Sequence, residues 1–528
     1  MSSVTYIQLA LAVAALYVVK RLVFDKQRKA PLPPGPKGLP ILGNIKDLPP
    51  PGQPEWLHWK KLKDGYGPIS SITVLGQTLV LIHDSKAAID LMERRSTNYS
   101  SRPRLVFGFE MCGWKDTISS LPYGPRHRTA RKYAYSILGT KAAVSKFYPL
   151  QEAEVRRFLF RTMNNPADVI QHIRTEAGAI ILKATYDYTI EPHSRDPLVD
   201  LADAALAQFS SAVTAGAWMV DMMPFLKYMP DWVPGTDFKR TARLWHKTLM
   251  DVVDRPFTYV KQQMAQKHYH PSFVSKLLEE PGQERITPES EFIIKWSAAS
   301  LYTGGADTTV STLSCFFLAM TLFPEVQRKA QEEIDRIVGT ARLPTFEDRD
   351  NLRYVEAVVT EALRWHPVAP LAIPHLTEED DIYDGYLLPK GSLIIANSWW
   401  LLHDPKVYNE PMEFKPERFL GENAEPDARN YCYGYGRRIC PGRVLADSSV
   451  FLTIASALAA FNISKATDAN GKEIEPKVEF TPGIISHPVP FGCTIKPRSE
   501  VHEQLIKNVE VEYPWEESDA KALQSAQQ

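Results

Sequence analysis

The segment Tyr433-Gly434-Tyr435-Gly436-Arg437-Arg438-Ile439-Cys440-Pro441-Gly442 constrains this chain more than any other. Its glycines lack a Cβ, so the backbone there can turn tightly and approach a flat surface closely. An apolar-periodic run begins just beyond, at about Arg443, which places the Cys440 sulfur near the positive end of a helix. That dipole and the adjacent arginines favour thiolate over thiol. Arg438 can also offer its guanidinium fork to a carboxylate.

Cys440 is one of five cysteines. With Cys112, Cys315, Cys432 and Cys493 it makes an odd, scattered set, too sparse for a disulfide framework in a chain of 528 residues. The body of the chain is therefore read as facing the cytosol, with the other four thiols as inert core. At 44% hydrophobic and 23% charged residues the chain has material for a large core. A formal net charge of -1 supplies no field for a phosphate backbone, which excludes nucleic acid as a partner.

The amino terminus differs from the rest. Val4 to Val19 is apolar except for Thr5 and Gln8, and Lys20, Arg21, Lys26, Arg28 and Lys29 follow. The run falls somewhat short of the roughly 20 residues that span a bilayer. Leu22 to Phe24 extend it, and Lys20 and Arg21 can snorkel. Ala12-Val13-Ala14 suggests a cleaved signal peptide, yet positive charge follows the run and none precedes it, which favours a retained anchor. Residues 1–24 are accordingly predicted as one transmembrane helix. Residues 25–40 form a basic and Pro-rich linker, stiffened by Pro31-Leu32-Pro33-Pro34-Gly35-Pro36. Residues 41–498 form the main domain, and residues 499–528 a polar tail, predicted loose because it offers little to bury.

Within the main domain, Ile69 to Ile82 reads as a hairpin turning at Gly76-Gln77. Asp200 to Met223, Pro288 to Phe323, Glu325 to Val338, Leu352 to His366 and Arg443 to Phe461 carry apolar residues at helical spacing. The fold class is thus mainly α with a smaller β region. Gly304-Gly305-Ala306-Asp307-Thr308-Thr309 interrupts the second of these helices with glycines, an acid and hydroxyls that propensity disfavours. Such a local violation is expected where function demands it. Glu361 and Arg364 share one helix face at i and i+3.

The segment around Cys440 resembles the haem-binding loop of the cytochrome P450 family, aromatic-x-x-Gly-x-Arg-x-Cys-x-Gly, with Tyr433 where the family usually has Phe. The likeness extends from the Pro-rich spacer to Pro490-Phe491-Gly492-Cys493. Through Ala372-Ile373-Pro374-His375 and His487-Pro488-Val489-Pro490-Phe491 it is similar to fungal microsomal members such as O-methylsterigmatocystin oxidoreductases and tryptamine hydroxylases. It implies the cytochrome P450 fold and haem b (iron protoporphyrin IX), with Cys440 as the metal ligand.

The same resemblance implies that Gly304 to Thr309 lies on a kinked distal helix, with Asp307 as proton relay and Thr308 as the hydroxyl that bonds iron-bound oxygen. Glu361, Arg364 and Arg418 would lock the Cys440 loop. Arg131 and Arg438 would meet haem propionates, as would His127, which replaces a Trp, and His375. Phe107, Phe109, Met111, Trp114, Trp218 to Met223 and Val368 to Ile373 would line an apolar pocket.

The implied reaction inserts one oxygen atom of O2 into a small apolar or aromatic organic substrate of secondary metabolism. No nucleotide or flavin fingerprint lies in the chain, so electrons must come from a separate NADPH-cytochrome P450 reductase. Arg437, Arg438 and Arg443 would form a basic docking face, or a merely solvated patch. The enzyme would be a single-pass protein of the endoplasmic reticulum membrane, in contact with its lipid and facing the cytosol. An oxygen-independent or peroxide-driven member of the family, and a non-catalytic haem-binding protein, are the alternatives. Retention of Asp307 and Thr308 argues against the first.

Overall fold

Branched residues separated by a Leu75-Gly76 turn give strands β1 (Ile69–Val74) and β2 (Gln77–Ile82), an antiparallel hairpin. Leu75 and Gly76 take φ of 48° and 89°, the left-handed conformation such tight turns use. The computed structural model describes residues 30–214, 216–279 and 286–525. Its backbone contacts divide into two units. The smaller comprises the described residues up to Pro103, together with Leu371–Asn397 and Tyr435–Arg437; the larger comprises Arg104–Pro370, Ser398–Gly434 and the chain from Arg438 onward.

The smaller unit is built on β1, β2 and four further strands, β3 (His375–Leu376), β4 (Asp381–Tyr383), β5 (Tyr386–Leu388) and β6 (Leu393–Ala396). One sheet has the order β1-β2-β6-β3, with β6 parallel to β2 and β3 antiparallel to β6. β4 and β5 form a separate hairpin.

The larger unit is helical. Its principal helices are α1 (Pro125–Leu138), α2 (Tyr148–Asn164), α3 (Val169–Tyr186), α4 (Pro288–Leu322), α5 (Arg353–Trp365) and α6 (Arg443–Ala460), followed by the antiparallel pair β7 (Phe461–Lys465) and β8 (Cys493–Pro497). α4 opens with Pro288 in its first turn, and the Thr287 side chain accepts the Ser290 N–H. At 35 residues it is the longest helix described, about 50 Å by the helical rise. It packs on α1, α3, α5 and α6, so apolar residues surround it rather than forming one stripe. α4 continues without a break through Gly304-Gly305.

The helices predicted near Pro288, Glu325, Leu352 and Arg443 form close to their expected bounds. The stretch from Asp200 to Met223 does not form one helix: it ends at Ala212 and resumes only as the short turn Met219–Met222. Thr214 Oγ1 donates to the Ser210 carbonyl and Gly216 takes φ of 79°, both at the interruption.

Among the described residues, α6 alone is long and apolar enough to cross a membrane, and 78% of it is buried within the protein. Core packing accounts for its composition. The Val4 to Val19 run lies outside the described residues.

The loose tail is corrected by the structure. Residues Glu500–Lys507, Val509–Glu512 and Ala520–Ser525 are helical, and Ile506, Val509 and Leu523 are buried. The Trp515 ring lies 5.1 Å from the Arg157 guanidinium and 5.8 Å from that of Arg161, while Arg157 donates to the Pro514 carbonyl at 2.8 Å. The segment is polar on average, but its few apolar side chains are spaced to reach α2.

Candidate active site around Cys440

Cys440 ends a loop that closes on itself: its N–H donates to the Tyr433 carbonyl at 2.8 Å. Gly436 takes φ of 50°, and a Cβ there would stand 2.4 Å from the Met92 carbonyl oxygen, so only glycine fits. Backbone N–H groups of Gly442 and Arg443 point at the sulfur, and the charges of Arg131 and Arg443 act on it. Burial nevertheless pushes the thiol above its ordinary value. The expected preference for thiolate is therefore reversed in the polypeptide by itself. The dipole and cations lessen the cost of ionisation without covering it, and a coordinated metal ion would remove the proton outright.

α4 also carries open space along one stretch. α4 is buried along most of its middle, yet Gly304 is exposed and Thr308 partly exposed. A Cβ on Gly304 would meet nothing within 4 Å, whereas one on Gly305 would press to 2.9 Å from Ile181 on α3. One glycine thus leaves room and its neighbour lets two helices close. Cys440 is also partly accessible, and a Cβ on Gly442 would meet nothing within 4 Å.

His127 and Arg131 lie one turn apart on α1. His127 is 2% exposed, its ring 5.7 Å from that of Tyr123. Arg131 donates to the Ile439 carbonyl, and burial lowers its pKa. No carboxylate pairs with it among the described residues. Arg438 donates to the Ile118 and Leu121 carbonyls at 3.2 and 2.6 Å. A half-buried cation without an acid, open space against α4 and an inward-lying thiol fit a flat, iron-bearing group with acidic arms. The Tyr433 hydroxyl is buried without a hydrogen-bond partner among the described residues, where a buried phenol ordinarily has one. His375 belongs to the smaller unit, where its Nδ1 lies 2.5 Å from the Tyr99 carbonyl.

Asp307 and Thr308 are adjacent in sequence but make separate contacts. Thr308 Oγ1 donates to the Gly304 carbonyl at 2.7 Å. Asp307 is 7% exposed and gives Oδ1 to Arg174 at 2.9 Å and Oδ2 to His487 Nε2 at 3.0 Å. Arg174 also pairs with Asp203. Burial works to raise the Asp307 pKa, but His487 and Arg174 hold it below the usual carboxylate value. His487 and Arg174 were not among the expected site residues.

Glu361 and Arg364 on α5 are fully buried and joined twice, at 2.7 and 2.8 Å. Arg418 Nε reaches the same carboxylate at 3.2 Å. Arg364 also donates to the carbonyls of Leu402, Pro411 and Glu413, and Arg418 to the carbonyl of Asn409 and, at 2.6 Å, to the carboxylate of Glu425. A second set was not anticipated. Arg349 and Arg429 each bind both Glu356 on α5 and Asp447 on α6, forming a closed ring of four charges. Burial alone would raise the Asp447 pKa; Arg429 and Arg349 hold it down.

The residues expected to line the pocket pack on one another. Phe107 stacks on Trp218 at 3.5 Å and meets Trp245 edge-on at 5.7 Å; Trp114 lies 4.5 Å from Phe209. Asp221 fixes this cluster by accepting the Phe107 N–H at 2.8 Å, and burial pushes its carboxyl up to about 6. The thiols of Cys112 and Cys315 are buried, and burial raises both.

A family model described as Cytochrome P450 matches residues 33–494. Cytochrome P450 monooxygenase claR of Ampulloclitocybe clavipes is 47% identical over 523 residues, covering 98% of this chain and 96% of the relative. Cytochrome P450 monooxygenase CLM2 of Gibberella zeae is 46% identical, over 95% of this chain and 96% of its own length. O-methylsterigmatocystin oxidoreductase of Aspergillus flavus is 42% identical, over 96% of each.

Proposed function

Because the chain belongs to the cytochrome P450 family, whose members here are monooxygenases, we propose that it inserts one oxygen atom of O2 into a small apolar or aromatic substrate of fungal secondary metabolism. The observation that carries this reading is Cys440, partly accessible beside open space and reached by two backbone N–H groups at the start of α6. Haem b, when bound, supplies the oxygen chemistry, and a thiolate ligand enriches the iron in electrons.

The chain's own residues do the rest. Cys440 holds the metal. Arg131 and Arg438 neutralise the propionates, with His127 and His375 as further donors; the lone cation of Arg131 supports this assignment. Tyr433 would lie against the haem. Thr308, whose hydroxyl is bonded to the Gly304 carbonyl, would offer that hydroxyl as a donor, and Asp307 would bring protons. Trp218 offers partly exposed aromatic surface to the substrate, with the buried Phe107 stacked behind it. Glu361, Arg364 and Arg418 hold the loop carrying Cys440 in place.

A separate NADPH-cytochrome P450 reductase provides the electrons and docks near Arg437 and Arg443. Residues 1–24 anchor the protein in the endoplasmic reticulum membrane, residues 25–40 act as spacer, and residues 41–498 form the haem-thiolate domain on the cytosolic side. The similarity to an O-methylsterigmatocystin oxidoreductase supports the substrate class. The test is Cys440→Ala, which should abolish the red-shifted Soret band of the reduced carbon-monoxide complex. An unchanged band in that variant refutes the proposal.

A further inference from the structure

The two partners of Asp307 differ in one chemical respect. Arg174 donates to Asp307 through a guanidinium, a group that does not give up its proton in proteins. His487, 3.0 Å from Asp307 Oδ2, faces it with an imidazole, a group able both to lose a proton and to regain one. His487 is also the partner closer to water, its side chain 20% exposed against 11% for that of Asp307. Asp307 is held ionised at neutral pH by these same two neighbours. An ionised carboxylate stores no proton, so one that delivers protons inward must receive each from beside it. Arg174 cannot give one up, and it is committed further to Asp203.

We propose that His487 supplies protons to Asp307, passing the proton on Nε2 to Oδ2 and regaining one from water, while its ring holds the carboxylate in position. The inference deepens the proposed function and rests on it. His487 is itself placed by its backbone N–H, which donates to Thr481 Oγ1 at 3.0 Å. The groups that face it are Asp307 on α4, Arg174 on α3 with Asp203 behind it, and His366. Burial keeps His366 neutral, and its Nε2 is engaged with Ser486 Oγ at 2.8 Å, so it does not compete for the proton.

The experiment uses the haem-loaded enzyme with NADPH-cytochrome P450 reductase and no substrate. One NADPH and one proton then reduce O2 to hydrogen peroxide, whereas two NADPH and two protons carry it to two molecules of water. The measured quantity is peroxide formed per NADPH between about pH 6 and 8, the range of imidazole titration. His487→Gln keeps an N–H beside Asp307 but transfers no proton. Its expected effect is a fall of about tenfold or more in the water-forming rate, a matching rise in the peroxide share, and loss of the wild-type pH dependence.

Infrared spectra of the resting protein give a second reading without turnover. The protonated-carboxyl band of Asp307, assigned with Asp307→Asn, should appear at higher pH in His487→Gln. Wild-type peroxide share and pH profile in His487→Gln would overturn the proposal. So would equal losses in His487→Gln and Arg174→Gln with the pH dependence intact, since both partners would then only position Asp307. A wild type without NADPH oxidation would instead sink the proposed function.

Discussion

Arg429 meets Asp447 at 2.6 Å across the two ends of the segment that carries Cys440. Arg349 reaches the same carboxylate at 2.6 Å, and both arginines return to Glu356. The loop is thereby clamped to α5 from the side opposite Glu361. Asp447→Asn leaves Arg349 and Arg429, each about a fifth exposed, with Glu356 between them and only the more exposed Asp427 besides, on Arg429. The expected loss is about 1–3 kcal/mol, below that of a fully buried pair. Denaturant unfolding measures it, and the carbon-monoxide spectrum should show part of the protein in the band of a displaced thiolate.

Glu361 is the more severe case, since it and Arg364 have no exposed side-chain surface. Glu361→Gln leaves the buried cation of Arg364 facing a neutral amide while Arg418 keeps Glu425, at a cost of about 3–5 kcal/mol. Recovery of haem-loaded soluble protein should fall steeply, whereas Lys415→Ala, which keeps the backbone N–H bonded to Glu361 at 2.7 Å, should leave recovery near wild type.

Glu176 on α3 should make stability pH-dependent. Burial pushes its carboxyl up to about 8 from an ordinary 4.5, with the Thr453 hydroxyl at 2.6 Å and Arg161 opposing only in part. The folded chain thus holds a proton that the unfolded chain releases. Stability from this group is undiminished below pH 4.5, declines as pH rises toward about 8, and levels off above. Glu176→Gln should remove the decline and gain on the order of 4 kcal/mol at alkaline pH. Thermal melts of the two proteins across this range decide it; parallel curves would contradict the assignment.

How much of this was legible beforehand depended on sequence distance. The Cys440 loop could be singled out because its glycines, arginine and helix start lie within ten residues. The hairpin of β1 and β2 and the long helices followed from local periodicity. The Asp307 to His487 contact joins positions 180 apart, and the Arg349 to Asp447 contact positions 98 apart; neither leaves a local pattern. The tail reads as loose on its average polarity, whereas its order comes from spacing: Leu505 and Ile506 stand four and three residues before Val509, on one helical face.

Thr308→Ala should leave the fold intact, because among the described residues the hydroxyl it removes bonds only to its own helix at Gly304. The expected consequence is chemical: less product per NADPH and more peroxide, measured with any compound found to bind. Unchanged coupling would remove Thr308 from the proposed relay.

Deleting residues from Ser499 onward should lower thermal stability. Ile506, Val509 and Leu523 lose their burial, worth roughly 1.5–3 kcal/mol for each large side chain. Trp515→Ala alone should cost about 1–2 kcal/mol by uncovering Arg157 and Arg161.

Because Leu523 packs into the core of the larger unit, that core joins residues lying far apart in the sequence. The unit therefore cannot finish folding before the segment around Leu523 has left the ribosome. A protease cut between Ser499 and Ala520 would likewise free a piece of the core rather than trim a surface strand.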